Sequence, residues 1–517
     1  MTRSGKPAPL SRLGTFLFIG LLVAGAWLRL AQLERRPLHG DEAVGASLSL
    51  DVAKTGSFLY FSANRHGPFQ YFLDGWVMRW KGTSTTAIRF PFAFAGSLLA
   101  LGLLPMRAAL GEAGWLFTTS LLTFSPFFVY YSRYAIQEIL FALATALMLA
   151  CAASFARTGQ GRALFGTLLS AAWMVTQKET FLIVWGCLGA AALAGWMIGG
   201  ARFRSAVSGA AKALARSWLW GVAGAACGAL LIAFFYTDRF QDNSGLANLA
   251  VNLVDLVRHG ASTASASELH RHPAVFYVSL LTRYEWLILA GFAVGIWFAL
   301  RGRRPLPLFF TSYALLLLAV HFYLAYKTPW LLLSPLLGMA LVAGTAMNRA
   351  ADRFPVAAPA AGLTLAAFLP LLLLPATLRT SFQRPADPAL GLAYHHAGAE
   401  QLTLADEIRR AVAAAPANIS PKAVVALPYY WPLAWYLRDE TQVFFEASAI
   451  PGEPVQVLSA VPILVTLQSA DPKFVKAFVP GGQVPDFTLP GHASRTVALI
   501  PPDYLVGKVW TLEAASP

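Results

Sequence analysis

The residues of this chain whose types and spacing could do chemistry fall into five short motifs. His39-Gly40-Asp41-Glu42-Ala43 places two carboxylates side by side. Such a pair supplies a general base or the oxygen ligands of a divalent cation; equally, Asp41 caps a helix expected over 42–54. Arg65-His66-Gly67-Pro68-Phe69-Gln70-Tyr71 offers an imidazole for a phosphate or a metal. The same His66 also reads as a turn residue ahead of an aromatic-rich surface helix over 68–80. In Tyr130-Tyr131-Ser132-Arg133-Tyr134-Ala135-Ile136-Gln137-Glu138, the carboxylate falls one turn into a helix. Arg133 is either its structural partner or a cation for a ligand. Gln177-Lys178-Glu179 and Tyr326-Lys327-Thr328-Pro329-Trp330 add two lysines, which bind an anion or snorkel to a membrane interface. Taken together, a carboxylate can deprotonate an acceptor hydroxyl. Fixed cations can hold a phosphate leaving group and stabilise its growing charge. That combination suits transfer of a group from a lipid phosphate.

The elements that must position these motifs are apolar. The chain has 517 residues, 56% of them hydrophobic and 13% charged, against roughly 45–50% and about 25% in a soluble domain. Mean hydropathy is +0.54. So few charges cannot cover a water-facing surface of this size, which excludes an ordinary cytosolic enzyme, a disordered chain and a coiled coil. The apolar residues come in unbroken runs, which excludes an outer-membrane barrel. The expected fold class is a polytopic α-helical membrane protein with about eleven transmembrane helices, since about 20 apolar residues cross a bilayer. The spans are expected at 13–32, 87–106, 114–131, 135–156, 163–177, 180–198, 217–236, 284–300, 306–325, 329–347 and 356–376. Cys151, Cys187 and Cys227 each lie in an apolar run and form neither a disulfide framework nor a zinc motif.

With the N-terminus inside, every inside loop carries Arg or Lys, while its acids amount to Glu112 and Asp352. This satisfies the positive-inside rule. It also accounts for the net charge of +14, which in a soluble protein would suggest nucleic acid; none is expected as a partner here. The transmembrane domain is expected over 1–376, with outer loops 33–86 and 237–283, and all five motifs face outward. A C-terminal domain over 377–517, periplasmic or extracellular, has normal charge density. It is expected to be α/β, with a helix at 399–415 and strands at 422–427, 441–446, 462–467 and 495–500. Segment 261–267, Ala-Ser-Thr-Ala-Ser-Ala-Ser, reads as low in complexity. Span centres are mostly Leu, Ala, Phe and Gly, with the polar groups at one edge, which favours surface chemistry over transport.

This plan resembles the GT-C superfamily of membrane glycosyltransferases, including the protein O-mannosyltransferase and aminoarabinose transferase families. The five motifs resemble most a prokaryotic subgroup labelled "flippase activity-associated" proteins, as does Trp431-Pro432-Leu433-Ala434-Trp435-Tyr436-Leu437-Arg438-Asp439. The resemblance implies an inverting transferase of a bacterial inner membrane that moves a sugar from a polyprenyl-phosphate donor to an external acceptor. By position, Asp41 would be the base, Glu42 its neighbour, and Glu138 a second acid or metal ligand. Arg133, Lys178 and Lys327 would face the donor phosphate. His66 stands where related transferases often carry the lysine of a Lys-Pro-Pro motif, a departure from the pattern. Asp41 and Glu138 could hold Mg²⁺ or Mn²⁺, although no spacing demands a metal. Trp431, Trp435 and Tyr436 either grip an acceptor or belong to the outer domain's core. The alternatives are a flippase, or flippase accessory, for lipid-linked sugars, and a non-catalytic scaffold.

Overall fold

The computed structural model describes residues 9–61, 66–263, 270–353, 359–394, 398, 400–414, 417–418, 420, 422–426, 430–446, 463–467 and 496–500. The chain divides into two compact units, one of residues 1–33 and 49–383, the other of 34–48 and 384–517.

The first unit is helical. A helix forms at each of the eleven expected spans. Among the described residues eight are long and apolar enough to cross a bilayer, and nine if a bent pair counts as one span. That pair, Ala274–Tyr284 and Trp286–Gly302, is bent by 100° at Glu285. The expected 163–177 span is a shorter helix, Gly161–Val175. The expected 114–131 span is broken into Glu112–Phe124 and Pro126–Ser132. Pro126 lacks the N–H that would continue the first of these helices. Ser125 restarts the chain by accepting a hydrogen bond from Phe128 N. Glu285 then accepts from Ser125 Oγ and Phe127 N, so a buried acid from a distant bend fixes the break. Helix starts follow the usual capping chemistry. Ser11 accepts from Gly14 N and donates to Glu112, which explains an acid among basic loops.

The connection 57–69 is held to neighbouring elements at three places. Asp238 accepts from Ser57 Oγ and Phe58 N. Asn248 and Asn252 donate to the carbonyl and hydroxyl of Tyr60. Gly67 N and Phe69 N donate to the carbonyls of Gln177 and Thr176, at 3.0 and 3.2 Å. At Gly67 a side chain is impossible: a Cβ would stand 2.2 Å from the Thr176 carbonyl oxygen. The helix Ser244–Thr263 takes in the start of the 261–267 segment; 264–267 lie outside the described residues.

The second unit contains a four-stranded parallel sheet in the order β2-β1-β3-β4, with β1 Ala423–Ala426, β2 Val443–Glu446, β3 Ile463–Leu467 and β4 Thr496–Ile500. The helix Glu400–Ala414 buries Leu404, Ile408 and Val412, at i, i+4 and i+8. They pack with Val425, Leu433 and Leu437, as an amphipathic stripe requires. Residues 34–48 belong to this unit; there Leu38 N donates to the Tyr436 hydroxyl at 2.7 Å.

Candidate active site

In the first unit, three motifs far apart in sequence meet. The turn 176–180 joins the helices Gly161–Val175 and Phe181–Ile198. Its Lys178 Nζ donates to Glu138 Oε1 at 2.6 Å, and both side chains are buried. Lys178 also forms an antiparallel bridge with His66. His66 Nδ1 lies 3.5 Å from Glu179 Oε2. Burial alone would pull the Lys178 ammonium down. The charges of Glu138 and Glu179 and the Glu138 hydrogen bond outweigh it, so its pKa is raised. Burial likewise works against the Glu179 carboxylate, but His66 and Lys178 hold it below the usual range. The charged forms of Lys178 and Glu179 are therefore maintained around neutrality.

Glu138 has one committed oxygen. Its Oε2 is buried and accepts no hydrogen bond among the described residues. It lines a cleft with Lys178, His321 and Trp330, of about 20 Å³, enough for one water molecule. His321 was not among the sequence candidates. Its Nδ1 is 2.7 Å from the Leu317 carbonyl; a carbonyl can only accept, so Nδ1 carries the proton. The available signal was an imidazole inside an otherwise apolar span, which is costly and calls for a reason.

Arg133 is not the partner of Glu138. The helix Pro126–Ser132 ends at Arg133, so the two residues share no helix face. Its guanidinium donates to the carbonyls of Leu28, Arg29, Ala31 and Gln32 and stacks over Phe382. It thus caps the C-terminal end of Arg12–Leu30, where carbonyls lack partners in the helix. This occupies the cation that the sequence offered to a phosphate.

The Tyr326–Trp330 turn reaches the cleft through Trp330. Lys327 is buried, at 3% exposed, and burial lowers its pKa. Its Nζ donates to the Leu324 carbonyl and its backbone N to the His270 carbonyl. Among the described residues no carboxylate pairs with it.

In the second unit, the cap of the helix Gly40–Thr55 is His39 rather than Asp41. His39 Nδ1 accepts from Asp41 N at 3.0 Å, and Glu42 Oε2 accepts from His39 N at 2.9 Å. This is the reciprocal arrangement of a capping box. Burial pushes the His39 pKa down, and an Nδ1 that accepts carries no proton. The 3.7 Å approach of Asp41 Oδ2 to His39 Nδ1 is therefore no ion pair. Glu42 is fully buried in the cap, while the Asp41 side chain is 51% exposed. Trp435 is buried with Arg438 over its ring at 4.2 Å. Trp431 and Tyr436 are half-buried, and Tyr436 packs on the unit's core. Tyr429 of the same cluster lies outside the described residues.

Among the described residues no three His, Cys, Asp or Glu side chains gather where they could hold a metal.

No family model and no curated protein matches this sequence. Solved structures do. ArnT from Cupriavidus metallidurans bound to undecaprenyl phosphate superposes with a TM-score of 0.55 at 13% identity, over 84% of this chain and 86% of that one. The archaeal oligosaccharyltransferase AglB from Archaeoglobus fulgidus, in complex with an inhibitory peptide and a dolichol-phosphate, gives 0.53 at 12% identity, over 84% of this chain and 64% of that one. At such identities the likeness is one of architecture: the chain is a polytopic membrane protein built on the GT-C fold.

Proposed function

We propose that this chain is an inverting glycosyltransferase that moves a sugar from a polyprenyl-phosphate donor to an acceptor outside the cytoplasm. The observation that carries the reading is the division of labour in the first motif. His39 and Glu42 are spent on the helix cap, and Asp41, beside them, keeps an exposed carboxylate. A general base needs an accessible oxygen within reach of the proton it takes. The fold shared with a structure that holds undecaprenyl phosphate supports a lipid-phosphate donor.

In this reading the acceptor hydroxyl attacks the anomeric carbon while Asp41 takes its proton. The bond from that carbon to the phosphate oxygen breaks, and the polyprenyl phosphate leaves with the electron pair. Lys327, with which no carboxylate pairs among the described residues, is the better cation of the first unit for a lipid phosphate. Lys178 is shared between Glu138 and Glu179, and a phosphate there would have to compete with both. Glu138 Oε2, which accepts no hydrogen bond among the described residues, is the acceptor the first unit would offer to a hydroxyl of a lipid-linked sugar.

The test is transfer from polyprenyl-phosphate-linked sugars by the purified full-length protein, with Asp41→Asn beside the parent. A base contributes roughly 10²–10⁴-fold, so the variant should lose transfer by that factor at an unchanged unfolding transition. Transfer retained in Asp41→Asn sinks the assignment. Labelled lipid crossing liposome membranes without any transferred product would favour a flippase.

A further inference from the structure

The connection between the Phe181–Ile198 and Trp218–Tyr236 helices is itself a helix, Gly200–Arg216. It contains Arg202, Arg204, Lys212 and Arg216 and no acid. All four cations are exposed. Phe203 anchors the start of the helix against Gly195 and Gly199, where a Cβ would stand 2.3 and 2.5 Å from it. At the other end Ser217 turns the chain into the next span and donates to the Gly159 carbonyl at 3.1 Å.

An open groove of about 520 Å³ crosses this corner, lined by Ala211, Leu214, Ala215, Trp218, Gly221 and Val222. The lining is apolar, yet Leu214, Trp218 and Val222 are 49%, 58% and 58% exposed. Leaving such a face to water is unfavourable. Its two halves differ in charge. Lys212 and Arg216 directly follow Ala211 and Ala215 on the connecting helix, and Arg204 precedes Ala211 by two turns, on the same stripe. The half formed by Trp218, Gly221 and Val222 runs along an apolar span and carries no charge.

We propose that this corner is a binding site for an anionic phospholipid. The phosphate lies against Lys212 and Arg216, and one acyl chain fills the groove beside Trp218. The occupant is anionic because the connecting helix offers four cations and no carboxylate. A zwitterionic headgroup would bring its own ammonium into that field, whereas a net negative one gains from every cation. The site belongs to no part of the candidate active site and does not depend on the transferase reading.

The experiment is quenching of Trp218 in the full-length protein in nanodiscs. The Trp218 signal is isolated as the difference between the parent and Trp218→Phe. Brominated phosphatidylglycerol is compared with brominated phosphatidylcholine at equal mole fraction in an unbrominated phosphatidylcholine background. Phosphatidylglycerol should quench at a mole fraction lower by roughly fivefold per cation engaged. The preference should disappear in Lys212→Gln/Arg216→Gln. Ala215→Phe, which fills the groove without changing charge, should weaken quenching by both lipids. Should the double variant fold poorly, raised salt replaces it: added ions should erase the preference in the unmodified protein. Equal quenching by the two lipids overturns the proposal, and so does a preference that survives loss of both cations or high salt.

Discussion

Replacing Lys178 and Glu138 singly and together tests whether the site is built around one buried ion pair. At 2.6 Å and an effective dielectric constant of about 20, the gross attraction is about 6 kcal/mol. Desolvation of two buried ions consumes several kcal/mol each, so the intact pair has little net value. Removing one partner is different, because it strands the other charge in a low-dielectric site. Lys178→Met should therefore cost about 3–5 kcal/mol, and Glu138→Met somewhat less, because Lys178 keeps the charge of Glu179. The double variant, apolar on both sides, should lie within about 1–2 kcal/mol of the parent. The coupling energy is then several kcal/mol, far outside the few tenths expected of independent sites. The assay is reversible unfolding in mixed micelles of non-ionic detergent and SDS, followed by loss of helical circular dichroism. Two single variants that each cost under about 1 kcal/mol and simply add would refute the reasoning. Lys178 and Glu138 would then be solvated neighbours with no energetic coupling.

Gly67→Ala should detach the 66–69 segment from the 176–178 turn, because the added carbon would meet backbone that cannot yield. Two hydrogen bonds are at stake, about 1–3 kcal/mol together, read as faster amide exchange at Gly67 and Phe69 with the spanning helices unaffected. Arg133→Leu should destabilise the protein by more than 2 kcal/mol without altering donor affinity, since its donors are spent on carbonyls. Lys327→Met should do the reverse, weakening retention of polyprenyl phosphate in native mass spectrometry by about tenfold or more. The folded Glu179 has a pKa below its ordinary 4.5, so its contribution to stability is whole above that value and is lost as pH falls through the lower folded one. Lys178, raised above 10.5, contributes fully below 10.5 and loses that contribution as pH rises through its higher folded value. The acid limb of an unfolding-versus-pH curve should accordingly shrink in Glu179→Gln.

The amino-acid sequence by itself determined where the spanning helices form and offered the loops in which the candidate residues lie. Apolar runs near 20 residues specify spans locally, because a bilayer demands that each segment satisfy its own backbone. The breaks that mattered were less visible. Pro126 stands inside the span expected over 114–131, and the buried Glu285 that secures the break comes from a bend 159 residues away in sequence. The pairing of Glu138 followed the same pattern. Sequence proximity offered Arg133, while packing brought Lys178 from a different turn and sent Arg133 to the end of the first helix. His39 taking the cap, with Glu42 closing it, is a short-range pattern, yet sequence alone offered the cap only to Asp41, as the alternative to its role as a base. The structure decides between them: the His39 Nδ1 accepts from Asp41 N at 3.0 Å. His321 entered the site through the packing of its span against the 178–184 and 330–334 segments. Helix periodicity is written in neighbouring residues, whereas charge partners are chosen by which faces the packed helices bring within hydrogen-bond reach, and a single sequence does not state that distance.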